Sequence, residues 1–269
     1  MITRAVSTWS LHRTLGRFAA EGSAVSGGRF IDSPSAGHGL PLIQLPAKLA
    51  EHGYDAVQIC HFHIPSRDAD SIAALREAFE VAGVTIDAVL VDDGDLTGPD
   101  ADGAEAWIGG WLDTARDLGA HRVRVGAGHA DPTPERLRES ATRLVRLAVG
   151  HPEVRVITEN WHELLANADA VNTLLRETGD HVGLLVDLGN WSGPGKYDQL
   201  AQIAGRAEGC HAKCRFDATG PDRADYERAL QVLKDAGFSG PMVLIYDGPD
   251  DDEWGRLDVE WAIVQDVFA

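Results

Sequence analysis

Two hydrophobic periods alternate along the chain. Short β-favouring runs (ITRAVST, YDAVQIC, VTIDAVLV, HRVRVGA, VRVITE, VGLLVD, GCHAKC and PMVLIYD) are each followed by a longer segment whose apolar positions recur three and four apart. The longer segments (PLIQLPAKLAEHG, SIAALREAFEVAG, AEAWIGGWLDTARDLG, PERLRESATRLVRLAVG, HELLANADAVNTLLRETG, YDQLAQIAGRAEG, DYERALQVLKDAG and VEWAIVQDVF) predict amphipathic helices. Many of them stop at Gly, as helix C-termini do. Units of about 30 residues have the size of a βαβ repeat. Eight of them in strict alternation predict a single (β/α)8 TIM barrel over residues 1–269. An open doubly wound sheet also alternates, but strand 1 runs into WSLHRTLG with no Gly-rich dinucleotide fingerprint. Residues 16–39, rich in Gly, Ser and Ala, have no clear period and are expected to form a long loop after strand 1. Such a loop is either a lid at the barrel mouth or a surface insertion.

In a barrel of this kind the C-terminal strand ends and the loops after them carry function. VITENW ends strand 5 and places Glu159 at its tip, and VGLLVD ends strand 6 at Asp187. Strand 7 carries His211 and Lys213, and strand 8 leads to Asp247. Asp187 closes an apolar run expected to be buried on both faces, where an uncompensated carboxylate is costly. Any one of these residues alone is readily explained as a hydrogen-bonded or ion-paired strand end. Glu, Asp and His on three consecutive strand ends point instead to a metal or catalytic cluster. Oxygen and imidazole donors suit Mn²⁺, Mg²⁺, Co²⁺ or Zn²⁺, and a cation there would neutralise Asp187.

Composition narrows the partners. The formal net charge is −18 and no Lys/Arg cluster is present, which opposes a nucleic-acid partner. No apolar run approaches the roughly 18 residues of a membrane span, and no basic-then-apolar leader is read at the start. A soluble cytoplasmic protein is therefore expected. Cys60, Cys210 and Cys214 are too few and too irregular for a disulfide framework, and are read as reduced thiols.

The segments ITENWHELL, LLVDLGNW and CHAKCRF, the last followed by DYERALQVLKDAGFSGPMVLIYDG, carry a resemblance to the sugar phosphate isomerase/epimerase family of xylose isomerase-like barrels. GYDAVQICHF is similar to that family's second-strand segment. The family includes ketose 3-epimerases, hydroxypyruvate isomerases, inosose dehydratases and apurinic-site endonucleases. The resemblance implies a divalent metal held by Glu159, Asp187, His211 and a strand-8 Glu. The last is missing, because MVLIYDG puts Ile245 at that position. Strand alternation places Asp247 on the same side as residue 245, about 6–7 Å further along. From there it reaches the metal directly, reaches it through water, or acts on substrate. A three-ligand site and a metal-free descendant are the other readings.

The resemblance further implies enediolate chemistry on a polyhydroxylated carbonyl compound, a sugar or cyclitol, with the metal polarising the carbonyl. Epimerisation by two bases uses the strand-5 and strand-8 carboxylates, and Ile245 weakens that reading. A 1,2-proton shift or loss of a β-hydroxyl needs only one base, for which Glu159 is the candidate. Lys213 is assigned to an anionic substrate group, an oxyanion or proton donation, or else it pairs with Asp187 or Asp247. Asp247 is the further catalytic candidate. Substrate contacts are expected from His61 and His63, on one face at the end of strand 2, Asp92 after strand 3, His12 after strand 1, Trp9, Trp191 and Arg215. Trp161 and Asp93 are further candidates. The competing readings are a lyase acting by β-elimination on an oxidised sugar or glycoside, a metal-free binding barrel, and a nuclease, which the acidic composition opposes. Barrels of this family are often homo-oligomers.

Overall fold

The computed structural model describes residues 2–19, 30–32, 39–249 and 251–269. Eight parallel strands close a barrel: β1 Thr3–Ser7, β2 Ala56–Cys60, β3 Thr85–Val91, β4 Arg122–Val125, β5 Arg155–Glu159, β6 Gly183–Asp187, β7 Ala207–Lys213 and β8 Pro241–Ile245. Neighbours in sequence are neighbours in the sheet, and β1 pairs with both β2 and β8 to complete the circle. Helices follow the strands: α1 Leu45–Glu51, α2 Ala69–Ala82, α3 Ala101–Leu118, α4 Pro134–Gly150, α5 Ala168–Thr178, α6 Lys196–Ala204, α7 Arg223–Asp235 and α8 Glu253–Phe268. The predicted (β/α)8 architecture is the observed one.

Alternation along the strands sorts the side chains. Val57, Val123, Val156, Leu184 and Met242 join the large core under the helices. The opposite faces line the barrel interior, where Ala5, Ala56, Val243 and Ile245 form a small apolar cluster of their own. Side-chain oxygens of Asp68, Thr133 and Asn167 cap α2, α4 and α5 by accepting from backbone N–H groups. Gly119 ends α3 at φ 78°, a left-handed conformation that other residues enter at a cost.

Two irregularities have a shared design. The β2–β3 register skips Asp87, and the β6–β7 register skips Glu208. Each bulged acid pairs with an arginine that opens another strand: Asp87 with Arg122 on the adjacent β4, and Glu208 with Arg155 two strands away on β5. The second bulge corrects the sequence reading. The helical segment expected to run through AEG stops at Ala204, and Ala207 already pairs with Leu184 in the sheet. A helix-like polar pair is thereby absorbed into a strand.

Two further elements depart from expectation. Within the stretch expected to be a structureless loop at 16–39, Arg17–Ala19 and Phe30–Asp32 pair antiparallel, and most of the remaining residues lie outside those described. A second small hairpin, Phe216–Asp217 with Gly220–Pro221, follows β7. Among the described residues no helix is long and apolar enough to cross a membrane.

Candidate active site

The C-terminal ends of β5, β6 and β7 deliver Glu159, Asp187 and His211 to one point, with Asp187 opposite His211 in register. All three are buried, and one potential ligand atom from each lies within 4.8 Å of the others. His211 Nδ1 faces Glu159 Oε1 at 3.4 Å and Asp187 Oδ2 at 3.6 Å.

Asp187 is compensated from several directions. Its Oδ1 accepts from the backbone N–H groups of Gly189 and Asn190, at 2.6 and 2.7 Å. Asn160 clamps its main chain, accepting from Asp187 N at 2.7 Å and donating to Asp187 O at 3.1 Å. Burial would raise the Asp187 carboxyl, but the neighbouring His211 imidazole and the charge of Lys213 hold it below the ordinary value.

Glu159 is gripped from both sides. Asn190 Nδ2 donates to Oε1 at 2.8 Å, and Arg124 Nε stands 3.1 Å from Oε2. Arg124 is itself buried, donating to Asp92 Oδ1 at 2.5 Å and Val91 O at 3.2 Å. Its guanidinium lies 4.8 Å from the ring centre of Trp161. Burial alone would raise the Asp92 carboxyl, yet Arg124 and His61 bring it down to about 2.

A chain of polar groups beneath the site fixes the tautomer of His211. Asp87, paired with Arg122, accepts from Gln58 Nε2 at 2.8 Å. The Gln58 carbonyl is thereby turned to His211 Nε2, 2.7 Å away. A carbonyl only accepts, so Nε2 carries the proton and Nδ1 is left facing the carboxylates. Burial disfavours a charged imidazole here, but Glu159 and Asp187 overcome it and carry the His211 pKa up to about 9.

The three side chains fit a divalent cation. They supply two carboxylates and one imidazole, converging, with the imidazole's far nitrogen anchored as metal-bound histidines usually are. The proton that His211 holds is what a cation would displace. Ile245 donates nothing. It is buried and packs with Ala5, Ala56, Val243 and Trp9.

Glu159, Asp187, His211, Lys213 and Trp9 line a cavity of about 100 Å³ together with Arg124, Trp161, Asn190 and Ile245. Asp92 also reaches its wall. Asp247 does not. β8 ends at Ile245, so strand alternation no longer governs residue 247, and its Oδ2 pairs with Lys213 Nζ at 2.5 Å. Burial would lower the Lys213 pKa, but Asp187 and Asp247 raise it, which keeps the ammonium charged.

The other expected substrate contacts lie elsewhere. β2 ends at Cys60, so His61 and His63 occupy a 3-10 turn instead of one strand face. His61 meets Asp92 and Asp93 at 3.7 and 3.4 Å, while His63 Nδ1 lies 2.8 Å from Thr8 Oγ1. His12 packs edge-on to Trp9 and beside His63. Trp191 is buried with its indole N–H on Leu165 O at 3.2 Å, and Arg215 is exposed at the base of the second hairpin.

Arg124, Gln58, Asp87, Asn160 and Asn190 were not singled out from sequence. Two signals were there to read: Arg-Val-Arg-Val on β4 puts both arginines on the inner face, and AVQIC puts a lone polar residue inside an apolar strand.

Comparisons with known proteins follow the geometry. No match was found among curated protein sequences. D-psicose 3-epimerase from Clostridium cellulolyticum superposes with a TM-score of 0.69 at 17% identity, covering 85% of this chain and 94% of that one. The probable 3-DHS dehydratase AsbF of Bacillus anthracis, involved in petrobactin synthesis, gives 0.70 at 12% identity over 98% and 99%. The 3-keto-D-glucoside 4-epimerase YcjR from E. coli gives 0.64 at 13% identity over 84% and 94%. At such identities these likenesses speak for the fold. In sequence, residues 46–262 match the xylose isomerase-like TIM barrels, and the chain belongs to that family.

Proposed function

We propose that the protein is a divalent-metal-dependent isomerase, epimerase or dehydratase acting on a sugar, cyclitol or related polyhydroxy carbonyl compound. The observation that carries this reading is the convergence of Glu159, Asp187 and His211 at one end of the barrel. These three residues would hold the ion, which, when bound, supplies Lewis-acid stabilisation of the negative charge that develops on a carbonyl oxygen.

The chain's own residues do the proton work. Glu159 removes the proton α to the carbonyl, with its carboxylate aimed by Asn190 and Arg124. Lys213, held by Asp247 at the cavity wall, hydrogen-bonds a substrate oxygen and delivers a proton to it. Trp9 and Trp161 offer ring faces to the apolar faces of the substrate. Ile245 leaves the opposite wall without a base. That favours proton return on one face, or loss of a β-substituent, over epimerisation by two bases.

A second reading, β-elimination from an oxidised sugar or glycoside, rests on the same asymmetry. It uses Glu159 for enolisation and Lys213 to protonate the leaving oxygen. A small-molecule substrate and a homo-oligomer complete the proposal.

The test pairs elemental analysis of protein purified without chelator with deuterium uptake by ketoses, aldoses and cyclitol ketones in D₂O. One metal equivalent that disappears in His211→Ala is expected, together with metal-dependent uptake at the carbon next to the carbonyl. Uptake unaffected by both metal removal and Glu159→Gln would overturn the proposal.

A further inference from the structure

His162 is the only non-glycine residue with positive φ among the described residues, at φ 58° and ψ 178°. That region is almost reserved for glycine and costs of order 1–3 kcal/mol for a residue with a side chain. The chain nevertheless keeps a histidine there, immediately after the Glu159–Trp161 segment. The imidazole is stacked on Trp161, with ring centres 3.6 Å apart, and meets the His129 ring at 4.0 Å. Glu163 follows at once, and its Oε2 lies 3.7 Å from His129 Nδ1. That separation is too long for a hydrogen bond, and Nδ1 is a buried nitrogen without a hydrogen-bond partner. One potential ligand atom from each of His129, His162 and Glu163 lies within 4.8 Å of the others.

We infer that His129, His162 and Glu163 form a second divalent-cation site, separate from the Glu159–Asp187–His211 cluster. Two imidazoles and one carboxylate select a borderline transition ion, Zn²⁺, Co²⁺ or Ni²⁺, over Mg²⁺ or Ca²⁺, which prefer an all-oxygen shell. The cation fills the gap between His129 Nδ1 and Glu163 and gives the strained His162 backbone a purpose. His162 and Glu163 also line a cavity of about 420 Å³ that shares Trp161 and Asn190 with the deeper one. Water or an oxygen of a bound ligand in that cavity can complete the coordination shell.

A chain of three contacts ties this site to the inner one. Trp161 contacts both the His162 ring and the Arg124 guanidinium, and Arg124 faces Glu159. An ion at His162 is thus positioned to stiffen the residue that orients the proposed base.

The test uses Co²⁺ and Zn²⁺ alone as probes on chelator-stripped full-length protein, followed by calorimetric titration. His211→Ala is expected to retain one equivalent, and adding His129→Ala is expected to remove it. The affinity loss should be at least the ~10- to 100-fold that follows removal of an outer-shell partner. His162→Gly guards against a folding artefact. Placed in the His211→Ala background, it should relieve the backbone and raise the melting temperature of the metal-free protein, yet abolish the melting shift that Co²⁺ gives that background. Binding to His211→Ala that survives loss of His129, or a Co²⁺ shift of His211→Ala that survives adding His162→Gly, would overturn the inference. No binding to His211→Ala would do the same. A wild-type protein with a His129-dependent equivalent and no His211-dependent one would support the second site while sinking the metal role proposed for the first.

Discussion

From the end of β3 round to β7 the barrel mouth carries Asp92, Arg124, Glu159, Asp187, His211 and Lys213. From β8 through β1 to β2 it carries Ile245, Ser7, Trp9 and Cys60. The polar half is a network in which each charge is met by another: Arg124 joins Asp92 to Glu159, and Lys213 joins the Asp187 region to Asp247. Among its cavity-lining residues the apolar half offers the Ser7 hydroxyl and no charge. The contrast explains how the barrel tolerates Ile245 where relatives are expected to carry Glu. Under the proposed function, the proton chemistry would fall on one side of a bound substrate and an apolar wall on the other.

The comparison is broken most severely from the polar side. Glu159→Gln keeps the shape and the Asn190 contact but removes the proposed base. Deuterium uptake from D₂O should fall by about 10²- to 10⁴-fold, with the circular dichroism spectrum and melting temperature close to those of the parent. Undiminished uptake would shift the base to another group. Ile245→Glu attacks the apolar side. In the metal-free protein it buries a carboxylate among Ala5, Ala56 and Val243, at a cost of about 3 kcal/mol in denaturant unfolding. Metal should recover much of that loss if the new carboxylate completes the site, and recover none of it if the β8 position has drifted out of reach.

A subtler break comes from below. Gln58→Leu is nearly isosteric and lies outside the cavity lining, but it frees His211 Nε2 and leaves Asp87 with Arg122 as its remaining partner. Affinity for Mn²⁺ or Co²⁺ at the inner site should drop about tenfold to a hundredfold, read by calorimetry. Unchanged affinity would mean that the tautomer of His211 is set by the carboxylates alone.

How much of this was legible in the sequence follows from the same physics. Glu159, Asp187 and His211 stood out because a charged or ring-nitrogen residue ending an apolar run is conspicuous, and strand parity then fixes its face. Lys213 followed from His211 by the same parity. The rule failed where the strand stopped: Asp247 lies beyond the end of β8, and His61 and His63 lie beyond the end of β2, so alternation assigned them faces they do not have. Arg124 and Gln58 were on the right strands, but a lone arginine or glutamine is ordinary in sequence, and only the closed barrel shows that each meets a residue from a distant segment. Asn190 acts through the turn that Asp187 organises, a local geometry no periodicity reveals.

The mildest way to sharpen the comparison is acid. The folded Asp92 carboxyl sits at about 2, below its ordinary 3.8. A depressed carboxylate contributes stability that is present above the unfolded pKa and lost as pH falls through the folded one. The window is therefore about pH 4 down to pH 2, and the contribution is of order 2 kcal/mol for a group this buried. Urea unfolding of the parent and of Asp92→Asn at pH 5 and at pH 2 isolates it: the stability gap between them should narrow by about that amount at the lower pH. Val243→Ala, on the apolar half, should open a gap of the same size at both. If the two gaps responded to acid alike, the Asp92–Arg124 pair would not be holding the polar half together, and the orientation of Glu159 would have to be credited to Asn190 alone.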